Sequence, residues 1–183
     1  NGGFNIPFGG GTFIPTTAQT YYYVCQPHVT MGMKGVIIAT QALTYVPDDN
    51  FEQALINLGY DNVLDDYVVT ASINTVTSLD VDSNSISDLT GIEDFTTLTT
   101  LDCSANQLTS MDVSQNISLE YLDVGNNQLT SLDVSTHTSL TNLSCGGNQL
   151  TSLDVSGATI LFSLNCSNNQ LTNLNLSNNT ALW

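Results

Sequence analysis

The feature that leaves this chain least freedom is a repeat. Aligned on the pattern LxxLxxxxNxL, repeats start at Val76, Leu98, Leu119, Leu140, Leu161 and Leu182, with successive spacings of 22, 21, 21, 21 and 21 residues. A second column keeps the same step: Asn84, Asn106, Asn127, Asn148 and Asn169. A unit of this length cannot bury an apolar edge alone, so neighbouring units must stack and share a continuous core. Leu101, Leu122, Leu143 and Leu164 then point inward from one short strand per coil. The Asn column bends the chain, each side-chain amide satisfying backbone groups that the turn leaves unpaired. It is read as structural rather than as a ligand position.

Each repeat contains a second half that echoes the first. LTTLDCSANQ is followed by LTSMDVSQN, and LEYLDVGNNQ by LTSLDVSTH. In TSLDVS, inward Leu and Val alternate with outward Ser and Asp, the period-2 pattern of a strand. The expectation is a right-handed solenoid with two parallel sheets, one per half-repeat, and no helix on the convex side. Cys103, Cys145 and Cys166 fall in the inward column that Val81 and Val124 fill elsewhere. Stacked parallel neighbours point the same way, which is poor disulfide geometry, so these are read as buried thiols acting as small hydrophobes. With Cys25, the four cysteines form no disulfide framework.

The period is that of a leucine-rich repeat. With their NQLTSLDVS phrases, residues 45 to 183 resemble the leucine-rich repeats of secreted Bacteroidetes proteins. The resemblance implies placement in the medium or on the outer cell surface, and export by the type IX secretion machinery through a C-terminal sorting domain. The chain opens on NGGFNIPFGGG, without a starting Met or signal peptide, and LSNNTALW stops as a repeat begins. It therefore reads as a piece of a longer protein.

Ahead of the repeats, Pro47, Asp48 and Asp49 make a helix start, and Phe51, Leu55 and Leu58 recur at helical spacing before Gly59 supplies a stop. This is expected to be a helical cap shielding the apolar edge of the first coil. The two aspartates suit a helix N-terminus better than a metal.

The first forty residues carry a different motif. In YYYVCQPHVTMGMKGVIIA, Cys25, His28 and Met33 have the spacing C-x2-H-x4-M, which lets a loop between two strands present a thiolate, an imidazole and a thioether to one point. Soft sulfur with imidazole suits copper, with Met as a long axial ligand. The segment resembles the C-terminal end of plastocyanin-like cupredoxins, although Gln19 stands where that family usually has Gly. The resemblance implies that Cys25 and His28 are equatorial ligands and Met33 the axial one. It also implies a further His from an upstream strand, without which the site is incomplete; His137, in a repeat corner, cannot substitute. The expected organisation is thus mainly β: a partial cupredoxin-like segment at 1–40, a linker and helical cap at 41–75, and the solenoid at 76–183.

Charge narrows the function. One Lys, no Arg and 17 acidic residues give a formal charge of −16, which excludes nucleic acid and repels an anionic membrane. No segment is long and apolar enough to form a transmembrane helix. Asp80, Asp102 and Asp123 form one outward ladder, and Asp112, Asp133 and Asp154 another. Carboxylates stacked at ~4.8 Å repel by about 1 kcal/mol per pair in water-like dielectric. Salt screening, raised carboxylate pKa values or weakly bound Ca²⁺ must offset this, a solvated acidic face in a saline medium being the simpler reading.

Two functions fit. One is an extracellular binding or scaffold module for a protein or glycan, its sheet face varied at Thr100, Tyr121, Asn142 and Ser163, with Tyr121, Phe162 and Trp183 as scattered aromatic anchors. The other is a copper-binding electron-transfer protein with the repeats as its surface tether. No nucleophile–base pair suggests an enzyme.

Overall fold

A computed structural model describes the backbone of residues 19–24 and 34–39 and the whole of residues 41–183. The chain divides into two units, Asn1–Ala42 and Leu43–Trp183. In the first, strands β1 (Gln19–Val24) and β2 (Lys34–Ala39) pair antiparallel, with Gln19 opposite Ala39 and Val24 opposite Lys34. Both are rich in the aromatic and β-branched residues that favour extended backbone. Residues 25–33 connect them.

The second unit begins with the cap. β3 (Leu43–Tyr45) and β4 (Tyr67–Val69) pair antiparallel on either side of helix α1 (Asp49–Asn57), and a single turn, α2 (Thr70–Ile73), follows β4. α1 is the expected helix, and its ends are chemically defined. Asp48 is the N-cap, its Oδ1 accepting the amides of Asn50 and Phe51 at 3.0 Å. At the other end Gly59, with φ +83°, donates to the Ile56 carbonyl while Tyr60 donates to that of Leu55, the two-bond closure that a left-handed residue permits. Phe51 and Leu55 are fully buried, but Leu58 is 46% exposed. The apolar spacing extended one residue too far: Leu58 is the C-cap, where the chain already turns off the helix.

Two buried carboxylates bind the cap into one piece. Glu52 accepts the amides of Asp65, Asp66 and Tyr67 at 2.9–3.1 Å, pinning the chain that leads into β4. Asp48 reaches outward with its other oxygen to the Ser87 amide (2.9 Å), the Ser87 hydroxyl (2.7 Å) and the Asp88 amide (3.0 Å), on the first coil. Thr44 of β3 donates to Asp94, farther along that coil.

Beyond the cap lies the solenoid. β5 (Ser78–Asp80), β6 (Thr100–Asp102), β7 (Tyr121–Asp123), β8 (Asn142–Ser144) and β9 (Ser163–Asn165) form one parallel sheet in that order, in register. Leu79, Leu101, Leu122 and Leu143 pair directly and are buried. The Asn column behaves as its chemistry dictates. Asn127 Nδ2 donates to the carbonyls of Val124 (3.1 Å) and Gly125 (3.3 Å) in its own coil and Cys103 (3.1 Å) in the preceding one, while Oδ1 accepts the Leu108 amide at 3.0 Å. Asn106, Asn148 and Asn169 repeat the arrangement.

The expected second sheet does not form. In the second half-repeats the described backbone makes a single parallel bridge, Asp133 with Asp154. Each Asp there turns its carboxylate onto the amide two residues on, as Asp112 to Ser114 (2.8 Å), Asp133 to Ser135 (2.9 Å) and Asp154 to Ser156 (2.8 Å). Asp102 and Asp123 make the same turn at the end of their strands, so the turn does not separate the two halves. Coil-to-coil bonds come instead from side chains: Asn116 to Ile92 and Phe95, His137 to Val113, and Asn179 to Val155 and Ala158. Apart from the cap, helical backbone among the described residues is confined to one 3-10 turn, Ile92–Asp94.

Packing grades along the solenoid: Leu122 is fully buried, whereas Leu164, Leu171, Leu174 and Leu182 in the last coils are only partly so. Leu122→Ala should therefore lower the unfolding free energy by about 3–4 kcal/mol and Leu164→Ala by about half as much, as measured by urea titration; equal losses would contradict the gradient.

Asp48 gives a second expectation. Burial alone would raise its carboxyl, but the hydroxyl and amide of Ser87 and the amides of Phe51 and Asp88 together hold it below the usual aspartate value. A depressed folded-state pKa contributes stability above the unfolded value, near pH 4, that is lost as pH falls through the folded one. Asp48→Ala should cost roughly 2–3 kcal/mol at neutral pH, ~1 from the cap and the rest from amides left without an acceptor. Its stability should also fall less steeply in acid than that of the parent.

Candidate recognition surface

The solvent face of the five-stranded sheet is built from two outward columns flanking the buried leucines. One runs Ser78, Thr100, Tyr121, Asn142, Ser163, and the other Asp80, Asp102, Asp123, Ser144, Asn165. Alternation along a strand puts both columns on the same side. Tyr121 is 37% exposed at the centre of the face. Its phenol is pushed above the ordinary range by partial burial, then by the negative charge of Asp123 and Asp102, by its contact with the Asp123 carboxylate and by Asp80. Asp102 and Asp123 are half-buried, each with Oδ1 on the amide two residues on, Ser104 at 3.0 Å and Gly125 at 2.8 Å. The face is graded: carboxylates occupy the coils nearest the cap, amides and hydroxyls those beyond.

The other acidic ladder is less strained than the spacing suggested. Asp112, Asp133 and Asp154 are fully exposed, and each carboxyl is held below the usual aspartate value. The amide and hydroxyl of the serine two residues on dominate, outweighing repulsion from the neighbouring coil at Asp112 and Asp154. Raised carboxyl values are therefore not how this ladder is accommodated. Calcium has no support either, because among the described residues no group of carboxylates, thiols or imidazoles is arranged to hold a metal.

Behind the sheet, Cys103 and Cys145 are buried, Cys166 is half-buried, and all three are free thiols. Burial pushes the Cys103 thiol far up, helped by Asp102 and Asp123; it pushes Cys145 to about 12, helped by Cys166 and Asp123. His137 is fully buried, with Nε2 3.1 Å from the Val113 carbonyl. A carbonyl only accepts, so Nε2 carries the proton. The role of its column, shared with Asn116 and Asn179, was missed from the sequence. Its signal was the 21-residue step between Asn116 and His137, repeated at double length to Asn179.

Cys25, His28 and Met33 lie outside the described residues. The register that places Val24 opposite Lys34 makes the segment holding all three the connection between β1 and β2.

Known proteins sharpen both parts. Residues 117–157 match the family model of leucine-rich repeats in two copies. The repeat unit is a leucine-rich-repeat solenoid. Residues 10–40 match the model of copper-binding proteins of the plastocyanin/azurin family. Over 72 residues the chain is 44% identical to Internalin J of Listeria monocytogenes serotype 4b (strain F2365), covering 39% of this chain and 8% of that protein. Among solved structures, the functional domain of InlJ from Listeria monocytogenes, which includes a cysteine ladder, superposes with a TM-score of 0.71 at 41% identity over 79% of this chain and 33% of that one. The internalin InlF of strain 4b F2365 gives 0.66 at 28% identity over 75% and 42%. A leucine-rich-repeat protein of Leptospira interrogans gives 0.57 at 27% over 61% and 31%. The chain spans less than half the length of each of these relatives. Its own inward column mixes valine and cysteine, reading Val81, Cys103, Val124, Cys145, Cys166.

Burial predicts how these thiols react. In a Cys25→Ser background, a small disulfide reagent should titrate one thiol quickly in the native protein, Cys166, and reach Cys103 and Cys145 only on unfolding. Three equal rates would contradict the packing.

Proposed function

We propose that the solenoid is a protein-recognition module acting outside the cell through the solvent face of its sheet, and that the chain is not an enzyme. The observation that carries this reading is the face itself: five strands in register, outward side chains of varied chemistry, and a backbone locked from coil to coil by the Asn ladder. A surface that rigid loses little entropy when it binds. The likeness to internalin repeats supports surface display, and the Bacteroidetes-like phrasing of the repeats supports type IX export. Among the described residues no helix is long and apolar enough to cross a membrane.

The copper-family match favours a second component. Cys25, His28 and Met33 would hold the metal as thiolate, imidazole and thioether, a donor set of the softness that copper prefers. Copper would supply one-electron transfer, with the solenoid as its tether. His137 is committed to Val113, so a second imidazole has to come from outside residues 1–183.

A panel of purified extracellular and cell-surface proteins tests the recognition reading. At least one should bind with a Kd of about 1 μM or tighter. That binding should be lost in the Tyr121→Arg/Asn142→Arg double variant and kept in the Gln115→Arg/Thr136→Arg variant of the second half-repeats. Absence of any binder, or equal loss in both variants, overturns it.

A further inference from the structure

We draw no further inference here: the strongest candidate, the exposed apolar face of the cap's two-stranded sheet at Leu43, Tyr45 and Tyr67, carries nothing because nothing in the structure shows what covers it.

Discussion

The interaction on which the rest of this structure depends is the carboxamide of the Asn column. Asn106, Asn127, Asn148 and Asn169 each reach into the preceding coil and into their own, donating to carbonyls on both and accepting backbone amides. An interior amide or carbonyl stripped of its partner costs about 1–3 kcal/mol. A slip of one coil against the next by a single residue would strip several at once, so the column fixes pitch and register together. It also dictates the backbone beside it. Ala105, Asn126, Gly147 and Asn168, each one residue ahead of a ladder Asn, are left-handed, with φ between 53° and 69°. Glycine is at ease there; the alanine is held against its preference because the ladder over-determines the turn.

The two halves of each coil satisfy their backbone by different means. The first half does so by a parallel ladder, leaving side chains free to face solvent as a surface. The second half relies on side chains. Asn116 and Asn179 donate into the preceding coil and His137 does so through an imidazole, while Asp112, Asp133 and Asp154 close local turns. The same turn is made on the sheet side by Asp102, Asp123 and Asn165, and on the other side Asn175 makes it as well as the aspartates, so the turn requires no charge on either side.

The two proposed functions would place opposite demands on a chain. The solenoid offers a broad, rigid, weakly reactive surface, and burial keeps the thiols of Cys103 and Cys145 protonated. Residues 10–40, which match the plastocyanin/azurin copper-binding model, carry soft donors in sequence at Cys25, His28 and Met33. Within the second unit, Asp48 and Thr44 bind the cap to the first coil and close its apolar edge.

Periodicity alone determined the solenoid, the inward leucines and the role of the Asn column, and local capping chemistry determined the start of the cap helix and its glycine stop. Each of these is set by backbone chemistry or by contact between neighbouring repeats. Alternation misread the second half-repeats, because T-S-L-D-V-S has the period of a strand whether or not its backbone pairs with the next coil, and there the bonds between coils are made by the side chains of Asn116, His137 and Asn179. Leu58 kept the helical spacing but fell on the turn. Only the tertiary structure showed that Glu52 is a buried acceptor for the chain 13 to 15 residues on, that Asp48 spans 39 and 40 residues to Ser87 and Asp88, and that His137 serves as a ladder residue. A repeat states what touches the next repeat; a contact made once, across a long separation and outside the period, leaves no pattern in the sequence from which to read it.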